Sequence, residues 1–188
     1  STYKLGFGSV ALVDSVSSKV AGGVSYQLAS LGRGEARHSI HLSTLAFSFP
    51  FSDRVFLGVS GRHAIITGVE SANALTADAG LLLHPFDSLP FSFSGHNLID
   101  VSYPGLQRFY VFSTGYLAQG LAVGADFRTD LGMAQERQLA YSIGAEYDLG
   151  GGLPLRAGYS SDVRQGTQHL SVGLGIAAEG SALDFSYR

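Results

Sequence analysis

The sequence predicts an all-β fold: a single antiparallel transmembrane β-barrel of about twelve strands, with an apolar exterior and a small, polar interior. Three observations predict it. Side chains alternate with a period of two, as in Leu121, Val123, Ala125 and Phe127 against Ala122, Gly124, Asp126 and Arg128. Charged residues are only 14%, while Gly reaches 25, Tyr 9 and Phe 12. The mean hydropathy is +0.18, yet there is no run of about 18 apolar residues of the kind a transmembrane helix needs. A barrel strand gives this weak signal because only alternate residues meet lipid.

The strands follow in order, at spacings typical of short strands joined by turns. The first runs near Tyr3 to Val13 and the second near Lys19 to Leu28, with Val20, Val24, Tyr26 and Leu28 against Lys19, Gly23, Ser25 and Gln27. The third spans about Arg37 to Phe49. Ile40 and Leu42 lie on one face and Leu45, Phe47 and Phe49 on the other, which predicts a β-bulge near Ser43 or Thr44. The fourth, about Arg54 to Thr67, sets Val55, Leu57 and Val59 against Gly58, Ser60 and Arg62. The fifth, Ala72 to His84, sets Leu75, Ala77, Ala79, Leu81 and Leu83 against Thr76, Asp78 and Gly80. The sixth is Phe91 to Ile99. The seventh, Arg108 to Ala118, is apolar on both faces, so alternation leaves its polarity open.

The eighth strand is the pattern of the opening paragraph. In the ninth, Leu139, Tyr141, Ile143, Ala145, Tyr147 and Leu149 oppose Gln138, Ala140, Ser142, Gly144, Glu146 and Asp148. The tenth, Leu153 to Ser160, turns Leu155, Ala157 and Tyr159 to lipid and Arg156, Gly158 and Ser160 inward. Leu170, Val172, Leu174 and Ile176 mark the eleventh, and Leu183, Phe185 and Tyr187 against Asp184 and Ser186 the twelfth. One domain, residues 1–188, is expected, because no linker composition interrupts the chain.

Connections alternate in length. Those at Pro50–Asp53, Ala118–Gly120, Leu149–Gly152 and Ala178–Ser181 are short, and those at Leu31–Ala36, Asp100–Gln107, Asp130–Arg137 and Ser161–Thr167 longer. Bacterial barrels usually keep short turns in the periplasm. Here a short connection precedes the last strand, so either the longer connections face the periplasm or the strand count differs by one.

The inward phase carries nine charges: Lys19, Arg54, Arg62, Asp78, Asp126, Arg128, Glu146, Arg156 and Asp184. Two accounts fit them. Opposite charges on neighbouring strands form an ionic and hydrogen-bond lattice that fills the lumen, or they line an aqueous or ligand pathway whose selectivity they set. The net charge of -3 is scattered and no basic patch exists, so nucleic acid is not an expected partner. With no Cys there is neither a disulfide nor a thiolate metal site. His38 and His41 are three apart on a strand and point to opposite faces, so no metal is expected. Gly95-His96-Asn97 with Ser92 or Ser94 resembles a hydrolase pair only loosely, and no Gly-x-Ser-x-Gly elbow accompanies it. No enzyme activity and no cofactor are expected.

Aromatics fall near strand ends: Tyr3, Phe47, Phe49, Phe51, Phe86, Phe91, Phe109, Tyr110, Tyr147, Tyr159 and Tyr187. Girdles at two membrane interfaces explain them. A soluble sandwich would use them as core, but its inner faces would not carry so many charges or its outer faces be so apolar.

Four stretches carry a resemblance: Ile143-Gly144-Ala145-Glu146-Tyr147, Leu155-Arg156-Ala157-Gly158-Tyr159, Leu170-Ser171-Val172-Gly173-Leu174-Gly175 and Leu183-Asp184-Phe185-Ser186-Tyr187. Their order and spacing resemble the closing strands of PorV/PorQ-type outer-membrane proteins, in the broad FadL-like group. Gly95-His96-Asn97-Leu98 is similar to the Asn-Leu strand end of the same family. Members are longer and carry an N-terminal segment ahead of these strands. Nothing in this sequence matches the lumen-plugging hatch of FadL, so fatty-acid transport is not carried over. The resemblance implies a barrel of the bacterial outer membrane, in contact with its lipid and with other envelope proteins. Its expected role is a structural anchor or partner subunit of a secretion- or motility-type envelope assembly. The alternative is a passive pore for small solutes or hydrophobic ligands.

Overall fold

The computed structural model describes residues 4–32, 38–68, 71–99, 106–130, 138–163, 165–178 and 181–187. They form β1 (Lys4–Asp14), β2 (Ala21–Gly32), β3 (His38–Ser52), β4 (Val55–Thr67), β5 (Ala72–Phe86) and β6 (Leu89–His96). There follow β7 (Phe109–Ala118), β8 (Leu121–Asp130), β9 (Gln138–Asp148), β10 (Pro154–Asp162), β11 (Thr167–Ala178) and β12 (Ser181–Tyr187). All twelve belong to one antiparallel sheet in sequence order, and the described residues include no α-helix. Short connections dictate that order, because a tight turn can only return the chain beside the strand it leaves. The order is open, with β1 and β12 at its ends; closure into a barrel is not part of the observed sheet. The chain divides into two compact units, Ser1–Leu81 with Gly95–Arg108 and Leu82–Ser94 with Phe109–Arg188.

The turns have local causes. Between β1 and β2 the Asp14 carboxylate accepts the amides of Val16 at 3.0 Å and Ser17 at 2.9 Å, and the Ser17 hydroxyl. That is an Asx-type turn, in which a side chain substitutes for a backbone acceptor. Gln119 and Gly120 alone join β7 to β8, and Gly120 takes φ +76°, a value that favours glycine.

In the first unit the register sorts side chains onto two faces. Phe47 pairs with Val59, Leu45 with Gly61 and with Val24, so these form an apolar face. Thr44 pairs with Arg62 and Ala46 with Ser60 on the other, charged face. The register runs unbroken from Ser39 to Pro50, and the irregularity falls between Pro50 and Ser52, not near Ser43 or Thr44. Ile40 and Leu42 therefore stay on the charged face, opposite Ile66 and Ala64. The change in pattern is a change of what each face carries, with no slip in register.

In the second unit Val111 pairs with Arg128, Ser113 with Asp126 and Leu117 with Ala122. The register thus assigns Phe109, Val111, Ser113, Gly115 and Leu117 of β7 to the charged face, and Tyr110, Phe112 and Tyr116 to the apolar face, which alternation alone left open. Phe109 is consequently not part of an aromatic girdle. Phe93 and Tyr110 stack, with ring centroids 5.9 Å apart. Tyr3 lies outside the described residues.

The described residues of neither unit form an ordinary hydrophobic core. Among the described residues the buried apolar side chains are Ala64, Ile66 and Ala74. The apolar face is open instead: Ile143 is 53% exposed, Leu170 70% and Phe185 60%.

Candidate functional site: paired charges on one sheet face

In the first unit the charged face gathers around Asp78 of β5. Arg62 of β4 donates from Nη2 to Asp78 Oδ1 at 2.6 Å and to Asn97 Oδ1 at 2.9 Å. The Ser60 hydroxyl donates to Asp78 Oδ2 at 2.9 Å, and the Asn97 amide N–H to Asp78 Oδ1 at 2.9 Å. His96 Nδ1 stands 3.6 Å from the same oxygen. Four groups from two chain segments thus converge on one carboxylate, which is how a half-buried charge is tolerated.

Asn97 joins this cluster to the chain leaving β6. It is buried, with φ +54°, a left-handed conformation that Asn adopts more readily than most residues. Its side-chain amide donates to the Gln107 carbonyl at 2.9 Å. The next residues continue against β5, with Leu98 N–H donating to Ala77 O at 2.8 Å and the Thr76 hydroxyl to Ile99 O at 3.3 Å. Arg108 donates to Leu98 O at 2.9 Å. Asn97 is therefore committed to holding backbone and Arg62, and His96 faces a carboxylate.

In the second unit Arg156 of β10 lies between two carboxylates. Glu146 is its direct cross-strand partner on β9, with Nε to Oε2 at 2.5 Å. On the other side Arg156 reaches past β11 to Asp184 of β12. Glycines of β11 permit that reach. A β-carbon at Gly175 would stand 2.7 Å from Asp184 Oδ1 and 2.8 Å from Pro154 Cγ, so a larger residue there would force Asp184 or Pro154 to shift.

A second cluster lies on the same face. Arg128 grips Asp130 with both arms, Nε to Oδ1 at 2.9 Å and Nη2 to Oδ2 at 3.2 Å, while its guanidinium carbon sits 3.8 Å from the Phe109 ring centroid. This combines bidentate pairing with cation–π contact. Ser142 donates to Asp126 at 3.1 Å. Beside them is an open cavity of about 520 Å³, lined by Asp126, Arg128, Ser142, Ser160, Ser161 and His169 among others. Another, of about 700 Å³, adjoins Glu146, Arg156 and Asp184.

Of the nine charges expected to face inward, Arg62, Asp78, Asp126, Arg128, Glu146, Arg156 and Asp184 lie on strands within these clusters. Lys19 and Arg54 do not: Lys19 is in the exposed turn before β2, and Arg54 in the turn between β3 and β4. Strand polarity was extended two residues too far at Lys19 and one at Arg54, because turn residues have no alternation to break. The clusters also contain Asp130 and Arg108, which the inward phase does not single out, and Asn97, which the sequence marks only as part of Gly95-His96-Asn97 and as an Asn-Leu strand end. Asp130 carried a usable signal, since it continues the even-numbered phase of Asp126 and Arg128. Among the described residues no group of three or more His, Asp or Glu gathers in a metal-binding arrangement.

Compared with known protein families the chain matches no family model, and a comparison with curated proteins finds no match.

Proposed function

We propose that the chain is a membrane-spanning β-barrel protein of the bacterial outer membrane that serves as a structural anchor or partner subunit of an envelope assembly. The observation that carries this reading is the inverted burial. With Ile143, Leu170, Val172 and Phe185 exposed, and Ala64, Ile66 and Ala74 the buried apolar side chains among the described residues, the apolar face suits lipid better than water. Closure of the sheet supplies the remaining condition, since unpaired strand edges are not tolerated in hydrocarbon. The PorV/PorQ-type resemblance of the last four strands points the same way.

The charged face supports an anchor over a pore. Arg62, Arg128 and Arg156 each have a carboxylate partner, so their fields are largely neutralised locally. The two cavities on that face favour the second reading, a passive channel for small solutes or hydrophobic ligands. Planar-bilayer recording separates the two: an anchor gives no steady conductance and co-purifies with envelope proteins after mild detergent extraction. Steady openings altered by Arg128→Ala or Arg156→Ala, from a chain that purifies alone, would replace the anchor with the pore. Membrane insertion itself is tested by heat-modifiable gel migration, and good solubility without detergent would refute it.

A further inference from the structure

On the apolar face of the first unit, side-chain character changes abruptly along the strands. β3 presents Phe49, Phe47 and Leu45, then Ser43, His41 and Ser39, with Phe51 at the register irregularity beyond Pro50. The register carries the same change across its neighbours: Leu45 pairs with Val24 and Gly61, whereas Ser43 pairs with Tyr26 and His63. Beyond that line the polar groups are tied to one another. Tyr26 Oη and His41 Nδ1 are 2.7 Å apart, Ser39 Oγ lies 3.3 Å from His41 Nε2 and 2.6 Å from Thr67 Oγ1, and His63 Nε2 is 2.6 Å from Asn73 Oδ1. Leu28 and Ile65 stand among them on the same face, giving the mixed apolar and hydrogen-bonding character of an interfacial layer.

Strand length agrees. β3 has 15 residues and β4 has 13, whereas a tilted strand crosses hydrocarbon with about 9–11. From Phe51 to the Ser43 line β3 climbs roughly 20 Å at a tilt of about 35–45°, close to the ~25 Å apolar band of such proteins.

We propose that the hydrocarbon ends at the line Val24–Leu45–Gly61, and that Tyr26, Ser39, His41, Ser43, His63 and Thr67 stand in the lipid headgroup layer. The strand ends leading to residues 33–37 and 69–70 then project from the bilayer. This rests on the membrane-spanning reading above and adds which part of the face meets which lipid layer. Imidazole and hydroxyl groups find hydrogen-bonding partners among headgroup phosphates and water, which the hydrocarbon does not supply.

The chain has no cysteine, so single-cysteine labelling is clean. Phe47→Cys, Leu45→Cys, His41→Cys, Ser39→Cys and His63→Cys are each labelled with a fluorophore in the folded full chain, in phosphatidylcholine vesicles. Quenching is compared between nitroxides on the headgroup and on the acyl chain. Labels at positions 47 and 45 are quenched more by the acyl-chain nitroxide, and those at 41, 39 and 63 more by the headgroup nitroxide. The depths at 45 and 41 differ by about 10 Å. Acyl-chain quenching at 41 and 63 as strong as at 45 would overturn the boundary while leaving the membrane reading intact. Labels at 39, 41 and 63 shielded from both lipid nitroxides and from aqueous iodide would also overturn it, because a protein surface would then cover the patch. Absence of acyl-chain quenching at 45 and 47 as well would overturn the membrane reading itself.

Discussion

Ile143 and Ser142 are neighbours at the middle of β9, at the same level in the sheet and on opposite faces. Ile143 lies on the apolar face between Ala125 and Tyr159, and Ser142 on the charged face opposite Asp126, to which it donates a hydrogen bond. Ile143→Arg should therefore put a guanidinium into hydrocarbon, at about 2–4 kcal/mol near the bilayer midplane. Ser142→Arg should place the same group against the Asp126 carboxylate, where an opposite-charge cross-strand pair contributes roughly 0.2–1 kcal/mol. Depth and the introduced side chain are matched, so the difference reports chiefly the medium each face meets. A gap of about 2 kcal/mol or more is roughly thirtyfold or more in the folded-to-unfolded ratio. The assay is urea unfolding of the vesicle-inserted protein, followed by far-UV circular dichroism and by gel mobility, since the chain has no Trp to report. Ile143→Arg should unfold at clearly lower urea than Ser142→Arg. Equal midpoints, or a larger loss for Ser142→Arg, would refute the assignment of faces.

Arg156→Ala leaves Glu146 and Asp184 without their shared partner, but all three side chains are more than a third exposed, so solvent screening keeps the loss small. Adding Glu146→Gln should cost less in that background than alone, and strict additivity in a double-mutant cycle would contradict the triad. Asn97→Ala removes the bonds to Arg62 and Gln107 and leaves at φ +54° a residue that tolerates the left-handed region less well than Asn. The combined loss should be about 2–4 kcal/mol. Asn97→Gly should fall between Ala and the wild type, because it restores the backbone freedom and not the bonds; indistinguishable unfolding midpoints for the two variants would count against this account. Gly175→Ala should cost about 1–3 kcal/mol through the clash with Asp184 and Pro154. Gly124→Ala, with nothing within 4 Å of the added carbon, should be near neutral in the same unfolding assay.

Strand number and order were legible because alternation and turn residues are local. The twelve strands, the antiparallel order and the two faces of β8 to β12 all follow from period-two patterning and short connections. The charge cluster was half legible. Arg62, Asp78, Glu146 and Arg156 showed themselves as charges in one phase, but which charge meets which depends on register, and register is a relation between strands. Asn97 was visible as a residue but not in its role, which lies in a left-handed backbone and in bonds to Arg62, Asp78 and Gln107, far apart in sequence.

By itself the sequence determined that this chain folds into strands with one apolar and one charged face, because a side chain's face is fixed by its parity alone. Only the tertiary structure decided which face of β7 is which, that β3 keeps its register past Thr44, and that Arg156 reaches across β11 to Asp184. The physical reason is that hydrogen-bonded pairing sets the level of each residue against its neighbours. A strand that is apolar on both sides, or a glycine that leaves room for a distant ion pair, acquires its meaning only from what stands opposite.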